Sequence, residues 1–303
     1  MRKIQIAGLV LALGSVGCIG TNHSAAKVKA AQLNGPWVVS NVGFATPESV
    51  LYDDISDVYL VSNINGSCTE RDGNGFISRL MPDGTVANLK WVDGENGETT
   101  LNAPKGMALV GNILYVADID HVRMFHRHSG ASLGEIAILE ATFLNDVAPT
   151  GEGGVLVSDS GLTPDFASSG TDTIYSIDAD GVVTTLVSGT ELARPNGLAV
   201  FGGAVWNVSF GSKEVRKMDF SGALLESYQA PAGSLDGIEI LPDGSALISS
   251  WASKSVYQLK PDGTFHAVVT EVEAAADIGV DTRRNRILVP LFKAHAVHIE
   301  PLS

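Results

Sequence analysis

The chain has 303 residues, 45% of them hydrophobic and 18% charged, with 33 glycines and a formal net charge of −14. Such a composition supplies an ordered core and excludes wholesale disorder. The acidic excess excludes a nucleic-acid partner, which needs a basic face, and fits a soluble or cation-binding domain.

The first segment, "MRKIQIAGLVLALGSVGC", has an export pattern. Arg2 and Lys3 precede an apolar run, Ile4 to Val16, that is short for a bilayer span. "SVGC" resembles a bacterial lipobox, with Ser15 where Leu is usual. Residues 1–17 are therefore expected to be a lipoprotein-type signal peptide, Cys18 the lipidated residue and 18–35 a tether. Cys68 is then the sole remaining thiol, so no disulfide frames the fold. The expected product is an exported monomer, periplasmic or on the outer cell envelope, touching a membrane only through its lipid.

From residue 36 onward a repeat emerges. Six segments share one layout, a short polar start, an apolar strand, a turn and a second strand, and they begin "PESVLYD", "PKGMALV", "LNDVAPT", "PNGLAVF", "LDGIEIL" and "ADIGVDT". Their second strands are "DVYLVSN", "NILYVAD", "GGVLVSD", "GAVWNVS", "SALISSW" and "NRILVPL". Turns such as "PDGT" and "DADG" lead out of third strands. Counted from Glu48, the starts advance by 57, 40, 51, 40 and 41 residues, about the length of a four-stranded propeller blade. The sixth unit ends after three strands, and "PWVVSNV" is placed to supply its missing outer strand. The fold expected for 36–303 is all-β, a six-bladed propeller closed by its N-terminal strand.

In a propeller the innermost strands line the axis, so residues at equivalent starts converge. The alignment makes these Glu48, Lys105, Asn145, Asn196, Asp236 and Asp277: five oxygen donors and one ammonium. Ca²⁺ prefers such hard oxygen ligands; the set has no thiolate or imidazole to suit a softer metal. Three carboxylates and one lysine sum to −2, which a divalent cation balances. The same Asn-Gly and Asp-Gly pairs also fit plain turns, with glycine taking left-handed dihedrals.

These motifs resemble the SMP-30/gluconolactonase family, more distantly paraoxonases and strictosidine-synthase-like propellers. The resemblance rests on "ESVLYD", "NGLAV", "DGIEI" and "LNDV", and covers nearly all of the chain after residue 36. It implies Glu48, Asn196 and Asp236 as metal ligands, Asn145 facing metal or substrate, and Asp236 as general base in hydrolysis of a lactone or ester. Lys105 would stabilise the oxyanion and, with Asn145, Asp277 and Phe143, contact substrate. Two departures stand out. Sugar lactonases of the family tend to carry Arg where Phe143 stands, which argues against an aldonolactone; paraoxonases carry His where Lys105 stands. The alternative is a non-catalytic envelope propeller that binds a small ligand or a partner protein.

Other motifs carry less. His126 and His128 in "HRHS" fit an exposed turn better than a metal site. His295 and His298 do not share a strand face. "ERDGNG" lacks a full calcium-loop ligand run and reads as a loop over one rim. No G-x-S-x-G elbow appears, and Trp37, Trp91, Trp206 and Trp251 are assigned to core packing.

Overall fold

A computed structural model describes residues 35–96 and 99–302; the expected signal peptide, Cys18 and most of the tether lie outside the described residues. The described strands form six antiparallel sheets of four. The innermost strands are β2 (Pro47–Asp53), β6 (Pro104–Val110), β10 (Leu144–Pro149), β14 (Pro195–Phe201), β18 (Leu235–Ile240) and β22 (Gly279–Asp281). In five sheets the next three strands follow in sequence order. In the sixth, β22 is followed by β23 (Arg286–Leu291), β24 (Ala296–Pro301) and then β1 (Trp37–Val39). Trp37 pairs with Ile299 and Val39 with Val297, so the N-terminal strand shuts the ring as the sequence predicts.

The core is divided into wedges between adjacent blades. Ala108, Tyr115 and Val122 of one sheet meet Leu144, Val147 and Val157 of the next. Val50, Tyr59 and Val61 meet Leu288, Val297 and Ile299 across the closing seam. Each fully buried Val, Leu or Ile contributes about 1.5–3 kcal/mol. Alternation explains the division: one face of a strand supplies one wedge, the other face its neighbour. Outer strands such as Leu224–Gln229 are largely exposed. Among the described residues the sole helix is a 3-10 turn, Thr190–Leu192.

The turns follow their sequence signals. In "PDGT" and "DADG" a glycine with φ between +82° and +86° closes the link from third to fourth strand. Asp83 and Asp262 accept from the backbone N–H two residues on, at 2.9 and 3.0 Å, an Asx-type turn.

Gly106, Gly197 and Gly237 serve a different purpose. None has positive φ, so the turn reading of these pairs does not hold. A Cβ on Gly197 would lie 2.4 Å from the Asp236 carbonyl oxygen, and one on Gly237 would lie 2.5 Å from Ile278 N. Inner strands of neighbouring blades approach too closely at this level for any side chain.

Candidate metal-binding cavity

Five of the six inner strands begin with an irregularity. Register shifts fall between Pro47 and Val50, Pro104 and Met107, Leu144 and Val147, Pro195 and Leu198, and Leu235 and Ile238. The bulge points Glu48, Lys105, Asn145, Asn196 and Asp236 along the axis, not into a wedge. Just upstream, Thr46, Arg194, Ser234 and Ala274 take left-handed dihedrals, with φ between 51° and 60°. Backbone hydrogen bonds from the ends of the second strands hold these corners. Ile64 N donates to Thr46 O, Phe210 N to Arg194 O, Trp251 N to Ser234 O and Phe292 N to Ala274 O.

The sixth blade departs from the sequence alignment by one residue. Ala275 bridges Leu291 and Gly279 pairs with Leu288. That register makes Ala276 the counterpart of Glu48, and Asp277 the counterpart of Ser49, with which it forms a parallel bridge. Asp277 N donates to Glu48 O at 2.9 Å, and Val50 N donates to Asp277 O at 3.2 Å. Asp277 therefore sits one level further along the axis than its proposed ring-mates, its carboxylate accepting from Ser49 Oγ.

Two cavities lie on the axis, one toward each end. The first, about 310 Å³, is bordered by Glu48, Lys105, Asn145, Asn196 and Asp236, with Phe143 and Trp251 among its walls. The second, about 350 Å³, is bordered by Ser49, Asp146, Glu239 and Asp277. The structure thus gathers Glu48, Lys105, Asn145, Asn196, Asp236 and Phe143 and leaves Asp277 at the far cavity.

The four oxygen donors of the first cavity share one property. Glu48 Oε2, Asn145 Oδ1, Asn196 Oδ1 and Asp236 Oδ1 are all buried without a hydrogen-bond partner. Their residues are at most 6% exposed. Each unanswered buried oxygen costs about 1–3 kcal/mol, so four around one space mark a position built for a positive group. Asn145 shows how the orientation is fixed: its Nδ2 donates to Ser160 Oγ at 2.9 Å, and Ser160 donates to Pro195 O at 2.8 Å, turning Oδ1 inward. Two carboxylates and two amides match the donor chemistry of a hard divalent cation. Among the described residues no group of three or more His, Cys, Asp or Glu side chains is placed to hold a metal ion, so an ion here would rest on two carboxylates together with two amide oxygens.

Burial dominates the electrostatics. It holds the Glu48 carboxyl well above the usual range, with Asp236, Asp277 and Asp146 adding repulsion and Lys105 opposing it. Burial likewise raises Asp236, and the Asp277 charge adds to the rise. Trp251 Nε1 and Asn196 face that carboxyl and favour its ionised form, the indole standing outside good hydrogen-bond geometry. Lys105 is 1% exposed, and burial pushes its ammonium down while Cys68 and Glu48 pull it up. Its Nζ donates to Ala103 O at 3.1 Å and lies 4.4 Å from the centre of the Phe143 ring. In the far cavity, burial lifts Asp277 to about 7 and Glu239 to about 8. Asp146 also rises through burial, although Val147 N and Leu198 N both donate to it at 2.7 Å.

The walls hold what sequence reasoning missed. Trp251, assigned to the core, borders the cavity together with Phe210 and Phe292. These three occupy one position in three blades, the first residue after the second strand. The corresponding residues elsewhere are Ile64, Ile119 and Ser160. Extending each second strand by one residue, to "GAVWNVSF" or "NRILVPLF", exposes that pattern. The loop carrying "ERDGNG" lies at this rim and contributes Cys68. His126 and His128 stack edge to face at 5.8 Å, away from the cavity, and His295 Nδ1 accepts from Thr46 N at 2.8 Å. Trp37 and Trp91 lie under Arg286 and Arg79, and Trp206 stacks on Tyr228.

No protein-family model and no curated protein sequence matches the chain. Among solved structures, a gluconolactonase from Xanthomonas campestris is similar with a TM-score of 0.67 and 18% identity, covering 90% of this chain and 92% of that one. A streptogramin B lyase gives 0.65 at 12% identity, covering 89% and 98%. A catalytically inactive His-to-Ala variant of virginiamycin B lyase from Staphylococcus aureus, with quinupristin, gives 0.60 at 12% identity, covering 88% and 99%. At these identities the likeness is one of fold.

Proposed function

We propose that this propeller is a divalent-cation-dependent hydrolase of a lactone or ester. The observation that carries the reading is the set of four buried oxygens, Glu48 Oε2, Asn145 Oδ1, Asn196 Oδ1 and Asp236 Oδ1, left without partners around one cavity. These residues would hold a cation, for which Ca²⁺ is the best chemical match. When bound, it supplies Lewis-acid polarisation of the substrate carbonyl.

The protein's own groups do the rest. Hydrolysis adds water across the acyl C–O bond: the water oxygen bonds the carbonyl carbon, the C–O bond breaks, and the alkoxide leaving group takes up a proton. Asp236, whose carboxylate borders the cavity, would take the proton of the attacking water. Lys105, buried against Phe143, offers an ammonium to the developing oxyanion in a site where charge is weakly screened. Asn145, fixed through Ser160, keeps its Oδ1 aimed at the space the cation would occupy.

A lyase reading is less well supported. The lyase among the similar structures is inactivated by changing a histidine to alanine, and no histidine borders this cavity among the described residues. Export and lipidation at Cys18 remain part of the proposal, testable by radiolabelled lipid incorporation into the parent and Cys18→Ala.

The test is a lactone and ester panel assayed with chelator and with added Ca²⁺, beside calorimetric Ca²⁺ titration of the chelated protein. Turnover lost on chelation and restored by Ca²⁺, with Asp236→Ala inactive, is the expected result. Turnover indifferent to both chelator and Asp236→Ala would remove cation and base from the mechanism.

A further inference from the structure

The first cavity is divided by chemistry into floor and wall. Its floor carries the four oxygen donors, Lys105, and Ser160, whose hydroxyl is already committed to Asn145 and Pro195. The wall is formed by Ile64, Cys68, Phe143, Leu162, Phe166, Phe210, Trp251 and Phe292. Only two of these side chains carry a heteroatom: the Cys68 thiol, a weak hydrogen-bonding group, and Trp251 Nε1, which is turned toward Asp236. The rings buttress one another: Phe210 meets Trp251 at 5.5 Å, Trp251 meets Phe292 at 5.2 Å and Phe143 meets Phe166 at 6.5 Å. Phe166, 50% exposed with φ of 62°, stands at the lip on the segment between Val155–Asp159 and Thr173–Ile177.

From this division we infer that the substrate presents its carbonyl to the floor and an apolar alkyl or aryl group to the wall, and that a polyhydroxylated lactone is excluded. The inference rests on the hydrolase reading for the carbonyl and on the wall itself for the remainder. A hydroxyl directed at the wall would lose water and find at best a weakly bonding thiol, which weakens binding about tenfold per group. A methylene placed there gains about fourfold, equivalent to about 0.8 kcal/mol. The volume of about 310 Å³ is at the small end for ligand pockets, so the apolar group is short. Phe143 accounts for the third-blade side of the wall: a guanidinium there would answer hydroxyls, whereas the ring covers Lys105 instead.

Two measurements separate the wall from the chemistry. With Ca²⁺ present, kcat/KM is measured for γ-lactones bearing methyl through hexyl chains, for dihydrocoumarin and for glucono-δ-lactone. The expected result is a rise of about fourfold per methylene until the cavity fills, with glucono-δ-lactone at least about 100-fold below the hexyl compound. Phe210→Ala and Phe292→Ala should lower the hexyl value more than the methyl value. In chelated protein, quenching of Trp251 fluorescence, taken as the difference from Trp251→Phe, is titrated with a hexyl-substituted lactam and with gluconolactam. Binding of the alkyl lactam without turnover of any lactone upholds the apolar wall and removes the hydrolase reading. Turnover that is flat in chain length, or best on glucono-δ-lactone, overturns the inference and leaves the hydrolase reading intact. Preference of the chelated protein for gluconolactam overturns it as well.

Discussion

Replacing Asp277 by Asn is expected to stabilise the metal-free protein, and to do so in a defined pH window. Asp277 is 8% exposed, and burial lifts its carboxyl from 3.8 to about 7, the Ser49 hydroxyl opposing the rise. A carboxyl raised in the folded state lends its full stability below the unfolded pKa, about 4. That stability is lost as pH climbs through about 7, because the unfolded chain ionises first. The shift of about three units, at about 1.4 kcal/mol each, corresponds to about 4 kcal/mol. Asn carries no charge at any pH and can still accept the Ser49 hydroxyl. Glu48, Asp146, Asp236 and Glu239 all feel the Asp277 charge, so its removal relieves them too. The variant and parent should therefore unfold alike near pH 4 and differ by about 2–4 kcal/mol near pH 8, a gain of about 4–7 °C in Tm. Thermal unfolding in chelator across that range is the assay. An offset that does not vary with pH would reduce Asp277 to a packing residue. A variant less stable than the parent at pH 8 would refute the buried-charge account outright.

Three further outcomes follow from the same geometry. Ca²⁺ affinity should rise as pH climbs above the ordinary carboxylate range, with proton release on binding, because Glu48 and Asp236, both held up by burial, must ionise to act as ligands; calorimetry in buffers of differing ionisation enthalpy reads the proton count. Glu48→Gln should weaken that binding at least about tenfold, since a ligand charge is lost from a buried set. Gly197→Ala should destabilise by about 3 kcal/mol or more, as its methyl group would meet the Asp236 carbonyl oxygen at 2.4 Å. Denaturant unfolding measures the cost, and a change within about 0.5 kcal/mol would show that the two strands can part.

The architecture was legible because its signals are local and repeated. Polar starts, alternating strands and "DG" turns recur at blade length, and "PWVVSNV" falls where an outer strand was lacking. Four donors and Lys105 were found because the bulge places them at one step of the repeat. Asp277 was misplaced because short apolar strings in the sixth blade align equally well one residue either way. Only the Ala275–Leu291 and Gly279–Leu288 pairings fix the register. The turn alternative for Gly197 and Gly237 stayed open because sequence cannot distinguish a glycine needed for φ from one needed for room. Trp251 escaped for a related reason: an aromatic at a strand end has the same local pattern whether it faces a wedge or a cavity.

The seam between β1 and β24 has a consequence for how the molecule is made. Val39 and Val297 are neighbours in one sheet yet come from opposite ends of the described chain. Five sheets are complete from consecutive strands, but β1 must wait without a partner until β24 has been made. Chains stopped before residue 296 would keep β1 without its mate and leave two unpaired strand borders, ready templates for sticking to other copies. The ring is thus sealed only once β24 has formed.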